Sequence, residues 1–90
     1  MSEPNTPKPS LTKLEPASGS MAGGKTVKVH GNRLDYVYSV TFGGHEVEKI
    51  VPVSGTEIEV ITPSHNEGTV VVYAYSDGGP SNPMHYTYTD

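Results

Sequence analysis

The chain has 90 residues, and its Lys and Arg (6) against Asp and Glu (10) give a formal net charge of −4. That length allows one domain, and the acidic balance with no basic cluster argues against a nucleic-acid partner. Ten Gly and eight Pro disfavour a helical fold, and no apolar run approaches the roughly 20 residues that cross a bilayer, so membrane insertion is not expected.

Hydrophobic residues make up 33% of the chain, so the expected core is small. There is no cysteine, which removes the disulfide staple common in small secreted domains and leaves the compartment open. The first residues lack the apolar stretch of a signal peptide.

Residues 1–9, MSEPNTPKP, hold Pro4, Pro7 and Pro9 and no apolar side chain after Met1 but these prolines. They read as a flexible, proline-rich tail or linker, with the folded domain over 10–90. Leu11 and Leu14 are three apart, which a first strand accommodates with a bulge. Pro16 stops that strand, and Ala17-Ser18-Gly19-Ser20 reads as a turn. Lys25 to His30 alternates, with Val27 and Val29 inward. Gly31-Asn32 ends it, and Leu34 plugs the core from the following loop.

Val37 to Phe42 is the next strand, with Val40 and Phe42 on one face. Gly43-Gly44 makes a tight hairpin turn. His45 to Val53 gives one or two short strands in which Pro52 favours an edge and Val47 points inward. Glu57 to Thr62 alternates with Ile58 and Val60 inward, and Pro63 stops it. Thr69 to Ser76 carries the densest β-branched and aromatic run. Asp77-Gly78-Gly79-Pro80 turns, and Met84, Tyr86 and Tyr88 alternate along the last strand. About seven short strands punctuated by turns predict an all-β, immunoglobulin-like antiparallel β-sandwich. Its predicted core is Leu14, Val27, Val29, Val40, Phe42, Ile58, Val60, Val70, Val72, Ala74, Tyr86 and Tyr88.

Catalytic and metal signals are weak. His30, His45, His65 and His85 fall at no metal-ligand spacing and have no Cys partner, so they read as solvent-facing and no metal or cofactor is expected. No Gly-x-Ser-x-Gly elbow accompanies the Ser, His and acidic residues, and no enzymatic activity is expected. Asp35, Asp77, Asn32 and Asn82 read as turn formers at one end of the sandwich rather than calcium ligands. Gly23-Gly24 and Gly78-Gly79 lead into no helix and so form no phosphate loop.

The ordered pieces resemble the IPT/TIG domain, an immunoglobulin-like fold. Leu11 to Gly19 is similar to that family's opening strand and Pro-x-x-Gly turn, and Gly23 to Asn32 to its Gly-Gly signature and second strand. Val40 to Gly44, Thr56 to Pro63, Gly68 to Gly79 and Tyr86 to Tyr88 follow in the family's order. Leu34 stands where the family often has Phe. The resemblance implies a non-catalytic module for display, spacing or protein contact in a larger surface, extracellular or virion protein, a phage tail protein among them. Its alternative is an accessory carbohydrate-binding module of a polysaccharide-active or glycan-binding protein. The expected partner is therefore a protein or a polysaccharide.

One face carries the candidate site. If Val70, Val72 and Ala74 point inward, then Val71, Tyr73 and Tyr75 point outward. Val37, Ser39 and Thr41 would flank them on one side, and His85 and Thr87 on the other. The binding candidates are Tyr73, Tyr75, Val71, Thr41 and His85, because tyrosine joins apolar area to a polar tip. Cross-strand packing explains the same residues without a ligand.

Overall fold

Wherever β-branched and aromatic residues alternate with polar ones, the chain is extended and its apolar side chains face one way. The computed structural model describes residues 8–89. Its strands are β1 (Ser10–Glu15), β2 (Ser18–Ser20), β3 (Thr26–Asn32), β4 (Ser39–Phe42), β5 (His45–Glu46), β6 (Lys49–Ser54), β7 (Glu57–Ile61), β8 (Gly68–Ser76), β9 (Gly79–Pro80) and β10 (Met84–Thr89). A single 3-10 turn, Leu34–Tyr36, interrupts them. Among the described residues no helix is long and apolar enough to cross a membrane.

The strands form two sheets, ordered β1-β3-β7-β6 and β2-β10-β8-β4-β5, with β9 added to β8. The expected bulge in β1 is present: Leu11 pairs with Gly31 and Lys13 with His30, so the register shifts between them. That shift lets both Leu11 and Leu14 reach the core. β6 lies on a sheet edge, where Pro52 removes no ladder donor from a neighbour.

Every residue of the predicted core is buried, together with Leu11 and Leu34. Leu34 enters from the 3-10 turn, held by its N–H donating to the Gly55 carbonyl at 2.8 Å. Val47 packs half-buried against this core. Tyr86, Tyr88 and Phe42 are the largest fully buried side chains and join edge to face, Phe42 to Tyr86 at 5.0 Å and Tyr86 to Tyr88 at 5.1 Å between ring centroids.

Four expectations need correction. Ala17–Ser20 is not a free turn: Ser18–Ser20 pairs in parallel with Thr87–Thr89, so the sandwich contains one parallel pair. Short polar strands of this kind have no alternation to reveal them. Pro9, counted with the tail, is fully buried, and tail residues 1–7 lie outside the described residues. Val37 packs against the core instead of lying on the outer face, because the 3-10 turn resets the alternation before β4 begins. His65 and His30 are half-buried rather than solvent-facing, His65 stacked on the Tyr88 ring at 5.2 Å and His30 with Nε2 2.8 Å from Glu15 Oε1.

The two tyrosines give the fold an alkaline limit. Burial, then the charge Tyr86 would carry, pushes the Tyr88 hydroxyl up to about 12, and burial raises Tyr86 as well. An unfolded tyrosine ionises near 10. The neutral hydroxyls therefore contribute stability that is complete below about pH 10 and is lost as pH rises toward about 12. Thermal melts across that window should fall in midpoint, and the Tyr86→Phe, Tyr88→Phe double variant should lose much of this dependence. A wild-type midpoint that stays level would refute the argument.

Candidate functional site

β8 is the central strand of its sheet and sets the candidate face. Its register places Tyr75 opposite Ser39 and Tyr73 opposite Thr41 on β4. On its other side Val71 lies opposite His85 and Thr69 opposite Thr87 on β10. The five candidates thus share one outer surface: Val71, Tyr73, Tyr75 and Thr41 are half-buried and His85 is exposed. The Tyr73 and Tyr75 rings are 6.3 Å apart and tilted by 42°. Hydroxyls border them: Thr69 and Thr87 bond to each other at 3.0 Å, and Ser39 donates to Glu46 Oε2 at 2.7 Å. This surface offers aromatic area and hydrogen-bonding groups for non-covalent contact.

Tyr36 and Tyr38, outside the predicted face, are 68% and 65% exposed. Tyr38 follows the 3-10 turn and donates its backbone N–H to the Tyr75 carbonyl at 3.0 Å, so it continues β4 alongside β8. For Tyr36 the signal is its place beside the buried Leu34 in one 3-10 turn, since only one face of a single turn can reach a core.

The two ends of the sandwich differ. At the end where the chain enters, Asn82 clamps β1 by its side-chain amide: Oδ1 accepts from the Leu11 N–H at 2.7 Å and Nδ2 donates to the Leu11 carbonyl at 2.9 Å. Asn32 lies here too, its Nδ2 donating to Ser10 Oγ at 3.4 Å. Among the described residues no three His, Asp or Glu side chains gather as metal ligands.

At the opposite end, where β10 terminates, a cavity of about 640 Å³ is lined by Ser20, Met21, Ala22, His45, Ser64, His65 and Asn66. These come from three separate segments; His65 N–H donates to the Met21 carbonyl at 3.0 Å and joins two of them, while Met21 N–H donates to the Thr89 carbonyl at 2.8 Å and anchors the first to the end of β10. The His65 ring is held by two contacts and by the space left beside Gly43. It stacks on Tyr88, whose hydroxyl donates to the Pro63 carbonyl at 2.7 Å. Its Nδ1–H donates to the Asn66 carbonyl at 2.9 Å, which sets the tautomer and leaves Nε2 an acceptor. Gly43, at φ +61, makes room for Nε2, which lies 2.8 Å from where a Cβ would stand. The His45 ring meets His65 at 5.2 Å and 88°, a wall beside a floor. His30 is occupied elsewhere, with Nε2 2.8 Å from Glu15 Oε1. That hydrogen bond, with the nearby Lys13 ammonium, holds the Glu15 carboxyl below its usual range.

Two sheets packed face to face, with β2 swung across to β10, define an immunoglobulin-like β-sandwich module. The chain belongs to the IPT/TIG domain family, whose sequence model matches residues 9–88. No curated protein matches the chain. Similar solved structures include Gamma-CGTASE from Alkalophilic bacillus clarkii, 16% identical with a TM-score of 0.77, over 96% of this chain and 13% of that one. SGBP-B from a complex xyloglucan utilization locus in Bacteroides uniformis is 25% identical with a TM-score of 0.68, over 89% and 22%. An auxiliary nutrient binding protein from Bacteroides ovatus is 27% identical with a TM-score of 0.64, over 96% and 22%. The chain thus spans between 13% and 22% of the length of these three proteins.

Proposed function

We propose that this chain is a non-catalytic module that holds apart, and makes contacts between, the parts of a longer protein. The observation that carries this reading is the placing of its ends. Ser10 pairs with Asn32 beside the Asn82 clamp, whereas Thr89 pairs with Ser20 beside the cavity. The chain enters at one pole and leaves at the other, with β8, nine residues long, running between them. At about 3.3 Å per residue that is a strut of about 30 Å. The clamp and the burial of Pro9 tie the start of β1 to this pole of the sandwich, so the strut is anchored there.

The chain lacks cysteine, so Ser10→Cys and Thr89→Cys would supply the only two thiols for spin labels. A narrow distance distribution near the strut length is expected, give or take the label arms. A broad or short distribution would refute the spacing role.

A second reading has its own support. The neighbours at 25% and 27% identity are SGBP-B from a xyloglucan utilization locus and an auxiliary nutrient binding protein. They favour a place for this module in a protein that handles carbohydrate, with the Tyr73–Tyr75 face as one contact surface for a partner or a glycan.

A further inference from the structure

We propose that the cavity at the chain's exit pole binds one ring of a neutral saccharide; this rests on the carbohydrate reading above. The cavity contains no Asp, Glu, Lys or Arg among its lining residues, so its walls hold no permanent charge to favour an ionic ligand. It offers hydrogen bonds instead, from the Ser20 and Ser64 hydroxyls and the Asn66 amide. His65 adds an acceptor at Nε2, because Nδ1–H is committed to the Asn66 carbonyl.

The apolar part is a corner. One face of His65 is covered by Tyr88, so the ring is a floor with a fixed backing. His45 stands perpendicular to it as a wall, and Met21, 40% exposed, adds a flexible apolar side. A sugar ring has this same division, with C–H faces and a hydroxyl rim. Small-molecule sites pair apolar walls with a few convergent polar groups in this way. A floor whose tautomer and orientation are set before binding loses little freedom when the ligand arrives.

The site also explains a turn. Gly43 is kept free of a side chain on the side where His65 Nε2 approaches, and the same turn carries His45 two residues later. One hairpin therefore makes space for the floor and delivers the wall.

The test is an amide-shift titration of the whole chain with glucose, with a mixed-linkage glucan heptasaccharide and with a xyloglucan oligosaccharide. Shifts centred on residues 20–22, 45 and 64–66 are expected with at least one of them. His45→Ala and Met21→Ala alter exposed side chains and leave the core intact, and each should weaken binding by about tenfold. Affinity should be insensitive to salt, as befits a neutral ligand in a site without permanent charge. Shifts confined to Val71, Tyr73 and Tyr75, with wild-type affinity in both variants, would overturn the cavity site and leave the carbohydrate reading standing. So would an affinity that collapses as salt is added. Absence of shifts with every saccharide would overturn both, while the spin-label distance would still decide the spacing role by itself.

Discussion

Phe42→Ala is expected to lower the unfolding free energy by about 3–5 kcal/mol. Phe42 is fully buried and is the only phenylalanine in the chain. It sits on β4 opposite Val72 and meets the Tyr86 ring edge to face at 5.0 Å and 77°. The contact continues from Tyr86 to Tyr88 and from Tyr88 to His65. Truncation removes the first ring of that chain and leaves a cavity that two sheets cannot close without shifting register. A domain of this size has about 5–15 kcal/mol in total, so the variant should be near its folding threshold. Urea denaturation should show the midpoint falling sharply with little change in slope. A midpoint within experimental scatter of the wild type would mean that Phe42 faces solvent.

The second large effect concerns backbone proximity. A Cβ added at Gly31 would collide with the Ser10 carbonyl oxygen, and would stand 2.9 Å from the Ser10 carbonyl carbon and 3.1 Å from the Leu11 Cα. These are backbone atoms of β1 and cannot swing aside. Gly31→Ala must therefore push β1 from β3 at the bulge, loosening Leu11 and the buried Pro9 together. The expected loss is about 3 kcal/mol, at the upper end of overpacking costs. Amide exchange should accelerate in β1 more than in β8. Gly44→Ala is the comparison: nothing lies within 4 Å of its Cβ, so only its φ of +86 is strained. A smaller loss, of about 1 kcal/mol, is expected there. Because Gly31 has no left-handed φ, equal losses at the two sites would show that β1 yields to the added Cβ at little cost.

The core was legible because it obeys a rule of period two. Val27 and Val29, Ile58 and Val60, and Val70, Val72 and Ala74 each announce their inward face by alternation. The bulge in β1 was legible from one irregular spacing. What escaped was structure that alternation does not encode. Ser18-Gly19-Ser20 has no apolar residue to mark a strand, and it becomes one through pairing with residues far along the chain. Val37 escaped because a 3-10 turn, entered through Arg33 at φ 59, breaks the count. Of the candidate face, the register of Val71, Tyr73, Tyr75, Thr41 and His85 followed from strand order alone. The exit-pole cavity did not, since residues 20–22, 45 and 64–66 are scattered in sequence and meet only in the folded chain. Nor can the spacing of histidines reveal a ring that is positioned by a stacked tyrosine and a neighbouring carbonyl.

The parallel pairing of β2 with β10 decides how this module would answer a pulling force. A load on the incoming segment draws β1, and β2 behind it, toward the entering pole. A load on the outgoing segment draws β10 toward the other. Neighbouring strands pulled in opposite directions along their length are sheared, and the bonds of Ser18, Gly19 and Ser20 with Thr87, Tyr88 and Thr89 share the load at once. Strands peeled apart sideways would yield one bond at a time. Tension along the chain therefore meets this sandwich in its tougher direction.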